Sequence, residues 1–243
     1  MMRAGLEHRI EAALGQAPRS AEPLAGGCVG DVFRLRMPDG GDVVAKTGGA
    51  GLALEGWMLD YLREHSRLPV PRVLHADDDL LVMEFIPTQG GINRSAQRHA
   101  ADLLADLHAV TAPQFGLERD TVIGGLRQPN AQSPTWAAFF RDQRLMAMGR
   151  QALDAGRIPA ALMTRLENFC ARIDEFIDEP PAPSLIHGDM WAGNVLCASG
   201  RIAGFVDPAI YYADAEIELA FSTLFGTFGD PFFARYGERR PLR

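Results

Sequence analysis

Apolar residues recur at helical spacing near the start of the chain, where Leu6, Ile10, Ala13 and Leu14 share one face of a short helix over 5–14. The pattern then shortens. Residues 32–37 and 43–45 read as strands around the turn Pro38-Asp39-Gly40-Gly41, and Gly26, Gly27 and Gly30 punctuate the stretch before them. After Gly48-Gly49-Ala50-Gly51 the helical period returns over 52–64 and stops ahead of Pro69 and Pro71; short strands follow at 72–75 and 80–85. Together these strands and helices over residues 1–86 make a small antiparallel-sheet lobe.

From residue 87 the pattern is mainly helical. Ser95 can cap a helix to about 110, Ser133 another to about 148, and Pro159 opens a third to about 177. An apolar strand at 184–187, a polar loop, a hairpin of 195–197 with 202–206 around Ser199-Gly200, and a final helix over 214–225 complete residues 87–243. The expected architecture is α+β and bilobal: an antiparallel-sheet N-lobe with one key helix, then a mainly helical C-lobe. No repeat or low-complexity segment interrupts it.

The 243 residues are 47% hydrophobic with a net charge of −7, enough apolar material for one large domain or two small lobes. Apolar runs such as 80–83 fall far short of the roughly 20 residues that cross a bilayer, and Glu7 and Glu11 interrupt the position of a signal core. A cytoplasmic protein with no membrane partner is expected. Cys28, Cys170 and Cys197 include no CxxC pair, so neither a disulfide framework nor a zinc site is indicated. The acidic balance, without a basic run, argues against nucleic acid. One count changes the picture: Lys46 is the single lysine among 24 basic residues. A lone lysine among arginines points to a position that requires a compact ammonium on a flexible stem.

The chemistry is concentrated in His187-Gly188-Asp189-Met190-Trp191-Ala192-Gly193-Asn194, with Asp207 thirteen residues beyond Asn194 across the predicted hairpin. Singly, these residues fit a capped turn or a strand terminus. Together they have the spacing of a phosphotransferase loop: Asp189 to take the acceptor hydroxyl's proton, and Asn194 and Asp207 as hard oxygen ligands for Mg2+. Lys46, closing Val43-Val44-Ala45-Lys46, supplies a point charge for ATP phosphates, and Glu55 on the next helix is its candidate partner.

On these residues the chain resembles the fructosamine kinase (ketosamine-3-kinase) family of the protein-kinase-like, aminoglycoside-phosphotransferase-like superfamily. Further matches are Gly26-Gly27-Cys28-Val29, Leu81-Val82-Met83-Glu84-Phe85-Ile86, Leu104-Ala105-Asp106-Leu107-His108, Phe139-Phe140-Arg141-Asp142-Gln143-Arg144-Leu145, Asp207-Pro208-Ala209-Ile210-Tyr211-Tyr212 and Leu224-Phe225-Gly226-Thr227-Phe228-Gly229. The resemblance implies ATP-dependent phosphorylation of the 3-hydroxyl of a free or protein-bound ketosamine, in repair of glycated amines. It implies Asp189 as general base, Asn194 and Asp207 on Mg2+, and Lys46 with Gly26, Gly27 and Cys28 around the phosphates. Backbone at Glu84 and Ile86 would hold adenine, and Trp191 would border the sugar.

The chain departs from the family in three places. Only nine positions separate Lys46 from Glu55, through a glycine-rich connection; a displaced helix would leave the ion pair weak or dependent on nucleotide. Ala215 stands where the family has an arginine that can support the loop, and the chain closes on Arg239-Arg240-Pro241-Leu242-Arg243 where members continue into a further helical segment. Cys28 in the nucleotide loop suggests a redox-sensitive site, with a monomer or a redox-linked homodimer as the assembly. Cys170, Cys197 and His108 fall on apolar faces and are expected in the core. Two other readings stay open: another small-molecule kinase, acting on an aminoglycoside, choline or a similar alcohol, and a catalytically weak nucleotide-binding regulator.

Overall fold

The computed structural model describes residues 4–24 and 30–243. Its first layer is an antiparallel sheet of β1 (Ser20–Pro23), β2 (Asp31–Arg36), β3 (Asp42–Thr47), β4 (Val73–Ala76) and β5 (Leu80–Glu84), in the order β1-β2-β3-β5-β4. The β2–β3 turn follows from its residues: Gly40 takes a φ of 87°, and Asp39 Oδ1 accepts the Gly41 N–H at 2.9 Å. Alternation sorts the sheet's side chains. Ala45, Leu80 and Val82 pack with Leu6 and Ile10 of α1 (Ala4–Leu14). Val44, Leu81 and Met83 face the other way and join Met58, Leu59 and Leu62 of α2 (Leu52–His65). Lys46 lies two residues beyond Val44 and opposite Leu81, so it shares this second face. Burying a leucine such as Leu59 or Leu62 stabilises the layer by roughly 1.5–3 kcal/mol each.

The second lobe is built around α3 (Arg94–His108). Its cap is Asn93, whose Oδ1 accepts the Ala96 N–H at 3.0 Å, and the expected cap Ser95 lies inside the helix. Asparagine caps as well as serine and sits two residues earlier in extended backbone. The helix expected from Ser133 instead starts at Trp136, because Glu179 reaches across to accept the Trp136 and Ala137 N–H groups at 2.7 and 3.0 Å. It comprises α4 (Trp136–Phe139), a π-helical segment (Phe140–Met146) and α5 (Ala147–Asp154), and so outruns the predicted end. The π turn accompanies Arg144, which lies buried 3.7 Å from the Tyr211 ring centroid and 4.7 Å from that of Phe139. After Pro159, α6 (Ala160–Cys170) is shorter than expected and gives way to a 3-10 turn at Ile173–Glu175.

Two short pairs were not anticipated: the hairpin of β6 (Thr121–Ile123) with β7 (Leu126–Gln128), and the ladder of β8 (Ser184–Ile186) with β11 (Tyr211–Ala213). The hairpin of β9 (Val195–Ala198) and β10 (Arg201–Phe205) is where the pattern placed it. The helix expected to be last, α7 (Ala215–Leu224), is followed by α8 (Asp230–Arg239). Phe232 and Tyr236 of α8 are buried, and Arg235 and Arg239 pair with Asp102 and Asp106 of α3 at 2.6–2.9 Å. Cys170, Cys197 and His108 are all buried. Among the described residues, no helix is long and apolar enough to cross a membrane.

Candidate active site

Lys46, Glu55, Glu84, Ile86, Asp189, Trp191, Asn194 and Asp207 line one cleft of about 350 Å³ between the sheet and the helical lobe. Gly26, Gly27 and Cys28 lie outside the described residues.

The ladder of β8 with β11 carries His187-Gly188-Asp189 up beside Asp207–Ile210. The two segments touch so closely that Ala209 N–H donates to His187 O at 2.7 Å. Gly188 is required there: its φ is +85°, and a Cβ would overlap the Ala209 carbonyl. Gly188→Ala is therefore expected to cost at least about 2 kcal/mol and lower the thermal midpoint by about 4–8 °C, measured by calorimetry.

Asn194, in the turn Ala192–Asn194, donates from Nδ2 to Asp189 O and to Asp189 Oδ2, both at 2.9 Å. The amide is thus held with its nitrogen on Asp189 and its oxygen turned away. Asp207 has a φ of 55°, left-handed backbone that aspartate tolerates better than most non-glycine residues. Trp191 lies over Gly193, where any side chain would run into the indole ring.

Lys46 is 7% exposed. Its Nζ donates to Glu55 Oε1 at 2.7 Å and forms a second ion pair with Asp207. The short, glycine-rich connection therefore does not displace the helix from Lys46. Burial alone would lower the Lys46 ammonium's pKa, but Glu55 and Asp207 outweigh it and hold the pKa above its ordinary value. Burial raises the Asp189 carboxyl, with Asp207 and Glu218 adding to it, against the opposing pull of His187 and the Asn194 hydrogen bond.

Three carboxylates (Glu55, Asp189, Asp207) against one ammonium leave this end of the cleft negative, which favours a divalent cation and repels a bare triphosphate. The donor set fits Mg2+: a carboxylate and an amide oxygen, both hard, to be completed by phosphate oxygens and water. Among the described residues, no cluster of three or more His, Cys, Asp or Glu side chains stands ready to hold an ion by itself.

The pattern of the chain missed the support beneath this site. Glu218 on α7 is buried; its Oε1 accepts the Gly188 N–H at 2.7 Å and its Oε2 bonds His108 Nε2 at 2.9 Å, while His108 Nδ1 meets the Tyr236 hydroxyl at 2.7 Å. The available signal was a carboxylate flanked by Ile217 and Leu219. The cleft wall at Val122–Gly125 was missed as well, although Gly-Gly between apolar residues is a hairpin-turn signal. Arg243 pairs with Asp214 and bonds Glu216, so a guanidinium reaches this turn although Ala215 provides none.

A family model for fructosamine kinase matches residues 2–243. The chain belongs to the fructosamine kinase family. "Probable ketoamine kinase slr1563" of Synechocystis is 33% identical over 181 residues, covering 72% of this chain and 59% of the relative. "Probable ketoamine kinase YniA" of Escherichia coli K12 is 33% identical over 180 residues, covering 70% and 59%. The chain thus spans about three fifths of these curated relatives. A crystal structure from Thermobifida fusca assigned as a fructosamine-3-kinase superposes with a TM-score of 0.86 at 28% identity, covering 98% of this chain and 84% of that one. The aminoglycoside phosphotransferase APH(4)-Ia, crystallised with AMP-PNP and hygromycin B, superposes with a TM-score of 0.65 at 17% identity, covering 97% of this chain and 88% of the other. That likeness shows the fold: like other fructosamine kinase family members, this chain has the bilobal α+β architecture of the kinase-like phosphotransferases.

Proposed function

We propose that this chain is an ATP-dependent small-molecule kinase that phosphorylates the 3-hydroxyl of a ketosamine, a sugar joined to an amine by glycation. The observation that carries the reading is the convergence of Lys46, Glu55, Asp189, Asn194 and Asp207 in one cleft, in a chain of the fructosamine kinase family.

Each residue has a task its geometry supports. Glu84 N–H already donates to Arg72 O at 2.9 Å, so its contribution to adenine is a carbonyl, with Ile86 further along the same wall. Lys46, held by Glu55, meets the phosphates. Asn194 and Asp207 hold Mg2+, which supplies charge neutralisation on the phosphates when bound. Asp207 would be one ligand of that cation, and Lys46, paired with Glu55, would meet the nucleotide phosphates. Asp189, oriented by Asn194, accepts the proton of the attacking hydroxyl; its raised pKa makes it the stronger acceptor. Trp191 borders the sugar, its ring supported by Gly193.

The reaction gives ADP and a phosphorylated ketosamine whose breakdown frees the amine, a repair step. The test is Mg2+-dependent ATP consumption with the morpholine adduct of fructose, with choline and kanamycin in parallel. Turnover confined to the fructosamine is expected. Turnover only with kanamycin or choline would transfer the chain to another acceptor class, and none at all in folded, ATP-binding protein would favour a regulator.

A further inference from the structure

In a kinase cleft the helix that carries the lysine's glutamate partner is attached to the small lobe, and something must hold it at the right distance. Here α2 is docked onto the helical lobe at three places along its length. At its start, Gly51 (φ +83°) sits against Val122 of the β6–β7 hairpin, so close that a Cβ there would lie 3.2 Å from Val122 Cγ2. Two residues past Glu55, the Arg119 guanidinium lies 4.7 Å from the Trp57 ring centroid. A further turn along, the Tyr61 hydroxyl meets the Tyr212 hydroxyl at 3.2 Å.

The three C-lobe contacts share one frame. Thr121 Oγ1 and Gln128 Nε2 at the hairpin base bond Ile210 O (3.5 Å) and Ala209 O (3.0 Å), and Asn130 Nδ2 donates to Arg119 O at 3.1 Å and to Thr121 Oγ1 at 2.8 Å. Arg119, Val122 and Tyr212 are therefore tied to the segment that begins with Asp207. The same segment that presents the metal ligand grips the helix that presents Glu55.

We propose that this clamp, made by Val122, Arg119 and Tyr212 on Gly51, Trp57 and Tyr61, fixes α2 so that the Lys46–Glu55 pair is preformed before nucleotide binds, with Trp57, Tyr61 and Arg119 as positioning residues for phosphoryl transfer. The functional half rests on the kinase reading given above; the structural half does not. It replaces the order that a short glycine-rich connection cannot supply, since Gly48 and Gly51 leave the backbone between β3 and α2 without stiffness of its own.

The chain provides its own reporter. Lys46 is its single lysine, so acylation by an amine-reactive ester, read by peptide mass, measures the exposure of one ε-amine. Arg119 is exposed and Tyr61→Phe removes only a hydroxyl, so the double variant Tyr61→Phe/Arg119→Ala is expected to stay folded. Losing one cation–π contact and one hydrogen bond is expected to raise the Lys46 acylation rate about tenfold, and to lower kcat by a similar factor with a smaller change in nucleotide KM. Trp57→Phe, which keeps a ring under Arg119, is expected to behave as the parent, whereas Trp57→Leu should follow the double variant.

An unchanged Lys46 rate in the double variant and in Trp57→Leu would overturn the clamp. A faster Lys46 with unchanged kcat would overturn the positioning role. If the parent chain shows no turnover with any acceptor while Lys46 rates still separate the variants, the clamp stands and the kinase reading fails.

Discussion

Asp189→Asn is expected to reduce phosphoryl transfer at least roughly a thousandfold while leaving nucleotide affinity within about threefold of the parent. The substitution is nearly isosteric, and the new amide oxygen can still accept from Asn194 Nδ2, which lies 2.9 Å from Asp189 Oδ2 now. What disappears is the basic site. Asp189 is not paired with Lys46, whose partners are Glu55 and Asp207, so the charge that meets the nucleotide stays in place. Single-turnover transfer to the fructosamine, alongside a fluorescence titration with a nucleotide analogue, separates the two effects. Transfer within tenfold of the parent would remove Asp189 from the role of base.

Glu218→Ala is expected to have the largest effect on stability, about 3 kcal/mol or about 6–12 °C in thermal midpoint, and to lower turnover as well. The carboxylate is buried, and its removal leaves the Gly188 N–H and His108 Nε2 without their partner. Glu218→Gln keeps one acceptor oxygen and should recover part of the loss. Burial alone would raise the Glu218 carboxyl, but hydrogen bonding and charge from His108, then His187 and the Gly188 N–H, bring its pKa below the ordinary value. A carboxyl lowered on folding contributes stability that is fully present above its unfolded pKa and lost as pH falls through the folded one. The midpoint difference between parent and Glu218→Ala should therefore be smaller at about pH 3.5 than at about pH 7. An equal difference at both would mean that the site's packing, and not the charge, carries the effect.

The elements that local pattern predicted well are those whose cause is local. The strands β2 and β3 are defined by alternation on either side of a Pro-Asp-Gly-Gly turn, and α2 by helical periodicity after a glycine run. The errors lie where a distant group intervenes. Glu179 caps α4 across more than forty residues, so Ser133 could not mark the helix start. Arg144 packs against the Phe139 and Tyr211 rings from within a π turn, which no period of 3.6 reveals. The helix α8 is only ten residues long and derives its order from α3, through the buried Phe232 and Tyr236 and the arginine pairs to Asp102 and Asp106.

The same division runs through the site. The side chains proposed to carry the chemistry were legible in the sequence itself, because phosphoryl transfer draws on few residue types in a set order: an ammonium, a carboxylate base and two hard oxygen ligands, for which Lys46, Asp189, Asn194 and Asp207 are the candidates here. Their convergence was decided by tertiary structure, since Lys46 and Asp207 are 161 positions apart and meet only when the sheet closes on the helical lobe. So was the state of the pair that spacing left open. A connection of eight residues rich in glycine allows many positions for Glu55, and it is packing of Trp57, Tyr61 and Gly51 against the far lobe that selects the one within 2.7 Å of Lys46.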